Sequence, residues 1–247
     1  MSWAGRRKTL YIGTSLLIIF AVAGAISYAV LSRPATCMDG KKNGDEKAID
    51  CGGSCARVCQ GDAQAPVLLW ARSFEVAPGV YNVAAYIENR NGATFARNVR
   101  YIFRLFDENN VLIAERMGAA TIAPTRFVPV IETSISTGNR KPTRAFFEFQ
   151  DAPMWEIGEA PKVEYAKQQL DEAARKLSVE IRNASTHDLE RVPVTALLYD
   201  EQGTAQAASM SLVPRIGKGQ TVQVVFTWPM PFLAPIVEAQ VIALPTP

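Results

Sequence analysis

The stretch "AYIENRNGATFARNVRYIFRLFDENN" (residues 85–110) returns later in the chain as "VEIRNASTHDLERVPVTALLYDEQG" (residues 179–203), with one residue gapped. Ile87 and Asn89 fall on Ile181 and Asn183. Leu105, Phe106 and Asp107 fall on Leu198, Tyr199 and Asp200. An interval of 93 or 94 residues is too long for a solenoid and suits two tandem domains. Within each copy the apolar period is two. Val99, Tyr101, Phe103 and Leu105 alternate with Arg100 and Arg104, and Val192, Val194, Ala196 and Leu198 hold the matching places. An earlier strand behaves alike, with Val83, Ala85 and Ile87 against Leu177, Val179 and Ile181. Such alternation predicts antiparallel sheets with one buried face and one wet face.

"DENN" and "DEQG" read as equivalent turns, where Asn and Gly tolerate positive φ. Further strands are predicted at 67–76, 119–132, 143–150, 162–170, 208–214, 221–227 and 236–244. The segment "AKQQLDEAARK" (166–176) has a helix-forming composition, but its register with the first copy reads as strand–turn–strand. The expected fold is therefore mainly β, with two tandem Ig-like antiparallel β-sandwiches at 67–153 and 162–247. Between them "DAPMWEIGEAP" (151–161) reads as the boundary, with Trp155 packed between the domains.

Outward from this pair, toward the N-terminus, "LYIGTSLLIIFAVAGAISYAVL" (residues 10–31) carries no charge. As a helix it spans about 33 Å, enough for a bilayer core. Arg6, Arg7 and Lys8 precede it. The positive-inside rule then leaves residues 1–9 in the cytoplasm and everything after Arg33 outside, with the bilayer as partner of residues 10–31. A cleaved signal peptide is the rival reading, with Ser27-Tyr28-Ala29 as its cleavage site. The apolar run is longer than such peptides usually have, which favours an uncleaved anchor. Pro34-Ala35-Thr36 before Cys37 does not resemble a lipoprotein box. The basic cluster aside, the chain holds 23 basic and 24 acidic residues, a balance with no footprint for nucleic acid.

"FRLFD" (103–107) and "LLYD" (197–200) resemble the signature of FxLYD-type domains, Ig-like sandwiches of bacterial envelope proteins, although Ala196 stands where the second copy would have phenylalanine. Residues 37–55 resemble the C-x-D-G-x-x-N-G-x-E-x-x-x-D-C-G-G-x-C motif of exported bacterial surface proteins. That motif usually ends C-x-x-C, whereas Ala56, Arg57 and Val58 put three residues before Cys59. The resemblance implies a cell-surface or periplasmic module of the binding and scaffolding kind and supplies no catalytic residues.

All four cysteines, Cys37, Cys51, Cys55 and Cys59, lie in a module at 37–59. On the outer side of a membrane they read as two disulfides, with three connectivities open. A zinc site is the competitor, but Cys37 stands too far from Cys51 for the usual ligand pairs. A cluster on Cys51, Cys55 and Cys59 departs from known spacings. Asp39, Asn43, Asp45, Glu46 and Asp50 supply oxygen ligands for one calcium ion. The spacing is not that of an EF-hand, and solvated acids balanced by Lys41, Lys42 and Lys47 are the plainer reading.

Enzyme signatures are missing from the sequence: there is no G-x-S-x-G, P-loop or H-E-x-x-H. His187, the only histidine, is expected in an exposed turn. Asp107-Glu108 and Asp200-Glu201 are expected exposed on tight turns, where carboxylates rarely do acid–base work. Asn183-Ala184-Ser185 fits a glycosylation sequon or a plain turn. The expected role is a non-catalytic, membrane-anchored binding or scaffolding protein of the envelope, partnered by an envelope protein or surface ligand. A structural subunit of a membrane or secretion complex, and a thiol- or metal-responsive protein, are the alternatives.

Overall fold

In the computed structural model, which describes residues 3–32 and 34–245, one helix is followed by antiparallel strands. Residues 1–2 of the expected cytoplasmic tail, Arg33 at the start of the part expected outside, and residues 246–247 of the second expected sandwich range lie outside the described residues. Contacts divide the chain into two compact units, Met1–Cys55 and Ala56–Pro247.

In the first unit, α1 (Trp3–Leu31) is apolar on every side and contains the 24-residue window Arg7–Val30, of mean hydropathy 2.1, none of it buried against protein. Thr9 and Thr14 bond their hydroxyls back to the helix, Thr14 Oγ1 to the Leu10 carbonyl at 3.0 Å. The helix fits a membrane anchor or a signal.

The second unit holds β1 (Val67–Ala77), β2 (Val80–Glu88), β3 (Thr94–Phe106), β4 (Leu112–Ile122), β5 (Phe127–Ser136), β6 (Arg144–Phe149) and the short β7 (Glu156–Ile157). It continues through β8 (Val163–Asp171), β9 (Lys176–Asn183), β10 (Leu189–Tyr199), β11 (Ala205–Ile216), β12 (Thr221–Thr227) and β13 (Glu238–Ala243). They form four antiparallel sheets. The orders β1-β2-β5 and β4-β3-β6 in the first half recur as β8-β9-β12 and β11-β10-β13 in the second, and β7 pairs with β3.

Local chemistry explains several boundaries. The helix-like segment 166–176 is strand–turn–strand: the Asp171 carboxylate accepts the Ala174 N–H at 2.9 Å, and Arg175 turns left-handed at φ 51°. Burial of Leu177, Val179 and Ile181 just beyond outweighs its helix propensity. The single strand expected at 119–132 is instead broken between Ile122 and Phe127. Pro124 has no N–H for a ladder, and the Ala123 carbonyl is taken by the Asn89 side chain.

One core lies between the first two sheets, around Val83, Ile87, Phe103, Leu105 and Val130. A second lies between the last two, around Leu177, Ile181, Val194, Leu198 and Phe226. The residues picked by periodicity are these cores. The expectation that each strand wets its other face fails for β2 and β10. Ala84 and Tyr86 alternate with the core residues of β2, Leu197 and Tyr199 with those of β10, and all four are buried. With Phe74, Ile131, Ala205 and Ala208 they form a third core, which seats the β1-β2-β5 sheet on the β11-β10-β13 sheet. Four layers result. Trp70 and Tyr86 stack at 5.5 Å in this seam, Tyr86 and Phe127 at 5.4 Å, and Tyr86 Oη donates to Gln240 Oε1 at 3.0 Å.

Trp155 is buried with Ala96, Val99, Ile122 and Val128, in a cluster that also takes Val58 and Leu244. Val58 N–H donates to its carbonyl and Ile157 N–H to that of Ala56, so residues 56–58 are tied to the boundary segment.

Candidate functional site

The two asparagines matched in sequence do the same work. Asn89 Nδ2 donates to the carbonyls of Thr94 and Ala123, both at 3.0 Å, while its Oδ1 accepts the Asn91 N–H. Asn183 Nδ2 donates to the carbonyls of His187 and Ile216 at 2.8 and 2.9 Å, and its Oδ1 accepts the Ser185 N–H. Both residues are buried, and each ties three backbone groups, the Ala123 or Ile216 carbonyl among them in a buried bond. The second bracket spans one residue less, as the sequence gap requires. With both amide hydrogens engaged and no exposed surface, Asn183 serves a turn rather than a glycan.

The two aspartates also match. Asp107 Oδ1 accepts the N–H groups of Asn109 and Val111, and Asp200 Oδ1 those of Gln202 and Thr204. Each turn closes on a left-handed residue, Asn110 at φ 62° or Gly203 at φ 68°. Asn98 and Arg191, each one residue before the first core valine, are left-handed too, at φ 54° and 49°. Asp200 departs from expectation. It is buried, because its Oδ2 also accepts Gln206 Nε2 at 2.6 Å beside the seam. Its carboxyl is held below the usual range: burial works against this, but the Thr204 N–H outweighs it with Gln206 and Gln202. His187 is exposed, as expected of a turn.

In the cysteine module Cys37 is bonded to Cys55, with Cα atoms 5.6 Å apart. Cys51 and Cys59 are disulfide-bonded as well, and no cysteine is free. This is the part of the pairing that sequence could not choose. Cys37, Cys55 and Glu46 come together, but the two sulfurs are joined to each other and offer no thiolates.

Asp39, Asn43, Glu46 and Asp50 share one hydrogen-bond network, and Asp45 bonds Ser54 apart from it. Asp39 accepts the Lys41 N–H and the Asn43 side-chain amide, and Asp50 the Gly40 N–H. Asp45 accepts the N–H and hydroxyl of Ser54, while Glu46 accepts the N–H groups of Asn43 and Asp50. The Asn43 amide holds the Asp39 carboxyl below its usual range, and the Ser54 hydroxyl does so for Asp45. Gly53 is required at φ 63°, where a Cβ would collide with the Asp45 carbonyl oxygen. Carboxylates gathering backbone N–H groups thus do here what an apolar core does elsewhere. Denaturing thiol titration of the protein should find no free thiol without reductant. Reduction should unfold this module at a temperature where far-UV dichroism of the sheets is unchanged.

A cleft of about 660 Å³ opens in the second unit, assembled from β1, Tyr81, residues 141–146, the start of β11 and the loop 228–233. None of the sequence-predicted site residues lines it. Its walls come from five separate stretches, which no local motif could reveal.

No family profile matches the chain, and no curated protein is found to be its relative.

Proposed function

We propose that the chain is a single-pass, N-in membrane protein whose exported part is a non-catalytic binding or scaffolding module of the cell envelope. The carrying observation is α1, apolar on all sides and followed by a module in which no cysteine is free. Disulfides persist in oxidising compartments, and Arg6, Arg7 and Lys8 precede the apolar run, so the rest of the chain lies opposite to them. The two halves are copies of one Ig-like sandwich of the FxLYD kind. The shared ladder order, asparagine brackets, aspartate turns and left-handed residues support this. The conspicuous carboxylates are occupied with turn backbone, which supports a role without catalysis.

Carbonate washing of membranes, with N-terminal sequencing of the retained chain, separates anchor from signal. An anchor keeps the whole protein in the pellet with residues 10–31 present. Release of a shortened chain would contradict it. Scrambling residues 10–31 at constant hydrophobicity should leave membrane retention intact, whereas a helix serving as a specific subunit contact would lose assembly.

A further inference from the structure

We propose that the cleft of the second unit is a docking site for an extended acidic peptide of an envelope partner, taken up as an added β-strand with a bulky apolar side chain in the cleft. This deepens the binding reading above and rests on it. Three edges meet at the cleft. Residues 71–75 belong to β1, 144–146 to β6 and 205–207 to β11. The ladders pair β1 only with β2, β6 only with β3, and β11 only with β10. An edge strand leaves alternate backbone N–H and C=O groups without ladder partners, and an extended chain can satisfy them.

The walls choose the peptide's charge. Arg72, Lys141 and Arg144 line the cleft, and among the described residues none is in a salt bridge, Arg72 acting on Asp200 only at longer range. Elsewhere in the same unit Arg100, Arg104, Arg126 and Arg215 are each held by acids. The only carboxylate lining the cleft, Glu75, is hydrogen bonded to Tyr81. Trp228, 6% exposed in the same wall, keeps its indole N–H without an acceptor among the described residues. A buried donor without an acceptor is costly, and an incoming carbonyl or carboxylate removes that cost.

The rim chooses the side chain. Leu233 is 94% exposed and Phe146 52%, and both line the cleft. Donors, cations and apolar surface thus coincide where strand edges are open, and an acidic strand with alternate apolar residues complements all of them.

The probe is a short blocked peptide of alternating glutamate and leucine, fluorescently labelled, titrated into the full-length chain in a non-ionic detergent. Anisotropy should show saturable binding that weakens with salt. Backbone N-methylation of the peptide, or lysine in place of glutamate, should cost at least about tenfold in affinity. Arg72→Glu with Arg144→Glu should do the same, and both positions are exposed, so dichroism should confirm an unchanged fold. Binding indifferent to N-methylation or to charge reversal, or no binding at all, would overturn the site. In cells, a photocrosslinker at exposed Met117, away from the cleft, keeps the two readings separable. If the peptide fails while Met117 still captures an envelope protein, the cleft assignment falls and the broader binding reading stands.

Discussion

Replacing Leu197 by aspartate should destabilise the second unit by about 4 kcal/mol or more, among the largest effects of any single substitution. Leu197 points away from the core of its own sheet pair and is nevertheless fully buried, against Ala84, Tyr86 and Ile131 of the facing sheet. Burial among Ala84, Tyr86 and Ile131 raises the pKa of a carboxylate there above that of the unfolded chain. The sign follows. The penalty is complete above the folded pKa and shrinks as pH falls through it, so the gap between variant and wild type should narrow toward pH 4. If β10 wetted its outer face, as strict alternation predicts, the same change would stay within about 0.5 kcal/mol. Urea unfolding followed by tryptophan fluorescence, at pH 7 and at pH 4.5, distinguishes these outcomes.

The second large effect belongs to the asparagine brackets. Asn183→Ala should cost about 1–3 kcal/mol, because the buried Ile216 carbonyl loses its donor while the His187 carbonyl keeps only the Ser185 hydroxyl. Asn89→Ala should cost a similar amount by stranding Thr94 and Ala123. Asp substitutions should be no milder, since a carboxylate cannot donate to either carbonyl. Parity between the two sites is the informative result: equal losses mark one structural device used twice. A loss confined to one of them would mean that the matched sequence conceals different roles.

These two predictions also show what the sequence could and could not convey. Period-two alternation identified Val83, Val99, Phe103, Val179 and Leu198 as core, because one side of a strand facing a second sheet leaves that trace. The seam left a trace too. "VAAYI" and "TALLY" are apolar at both parities, but a reading that follows one parity treats the other as neutral surface. Asn89 and Asn183 were legible as a match and illegible as a bond, since their acceptors Ala123 and Ile216 lie more than thirty residues away. The Cys37–Cys55 pairing was hidden for a related reason: several closures are open to four cysteines so close in sequence, and the folded backbone selects among them. Asp200 matches Asp107 in sequence, yet Asp107 is half-buried and only Asp200, beside the seam, is buried.

The stack of sheets has a functional corollary. A linker between independent domains would let them reorient, whereas a shared aromatic seam of Trp70, Tyr86, Phe127 and Tyr199 holds both sheet pairs as one rigid body. The same packing brings the edges of β1, β6 and β11 together around the cleft.

The most direct measurement is protease treatment of intact cells and of sealed spheroplasts carrying the full-length chain, with antibodies against the tail before α1 and against β13. The account predicts that β13 epitopes are lost without membrane permeabilisation while the tail stays protected. A C-terminal half that survives until the membrane is opened would contradict export, and with it the disulfide-held module and the proposed envelope role.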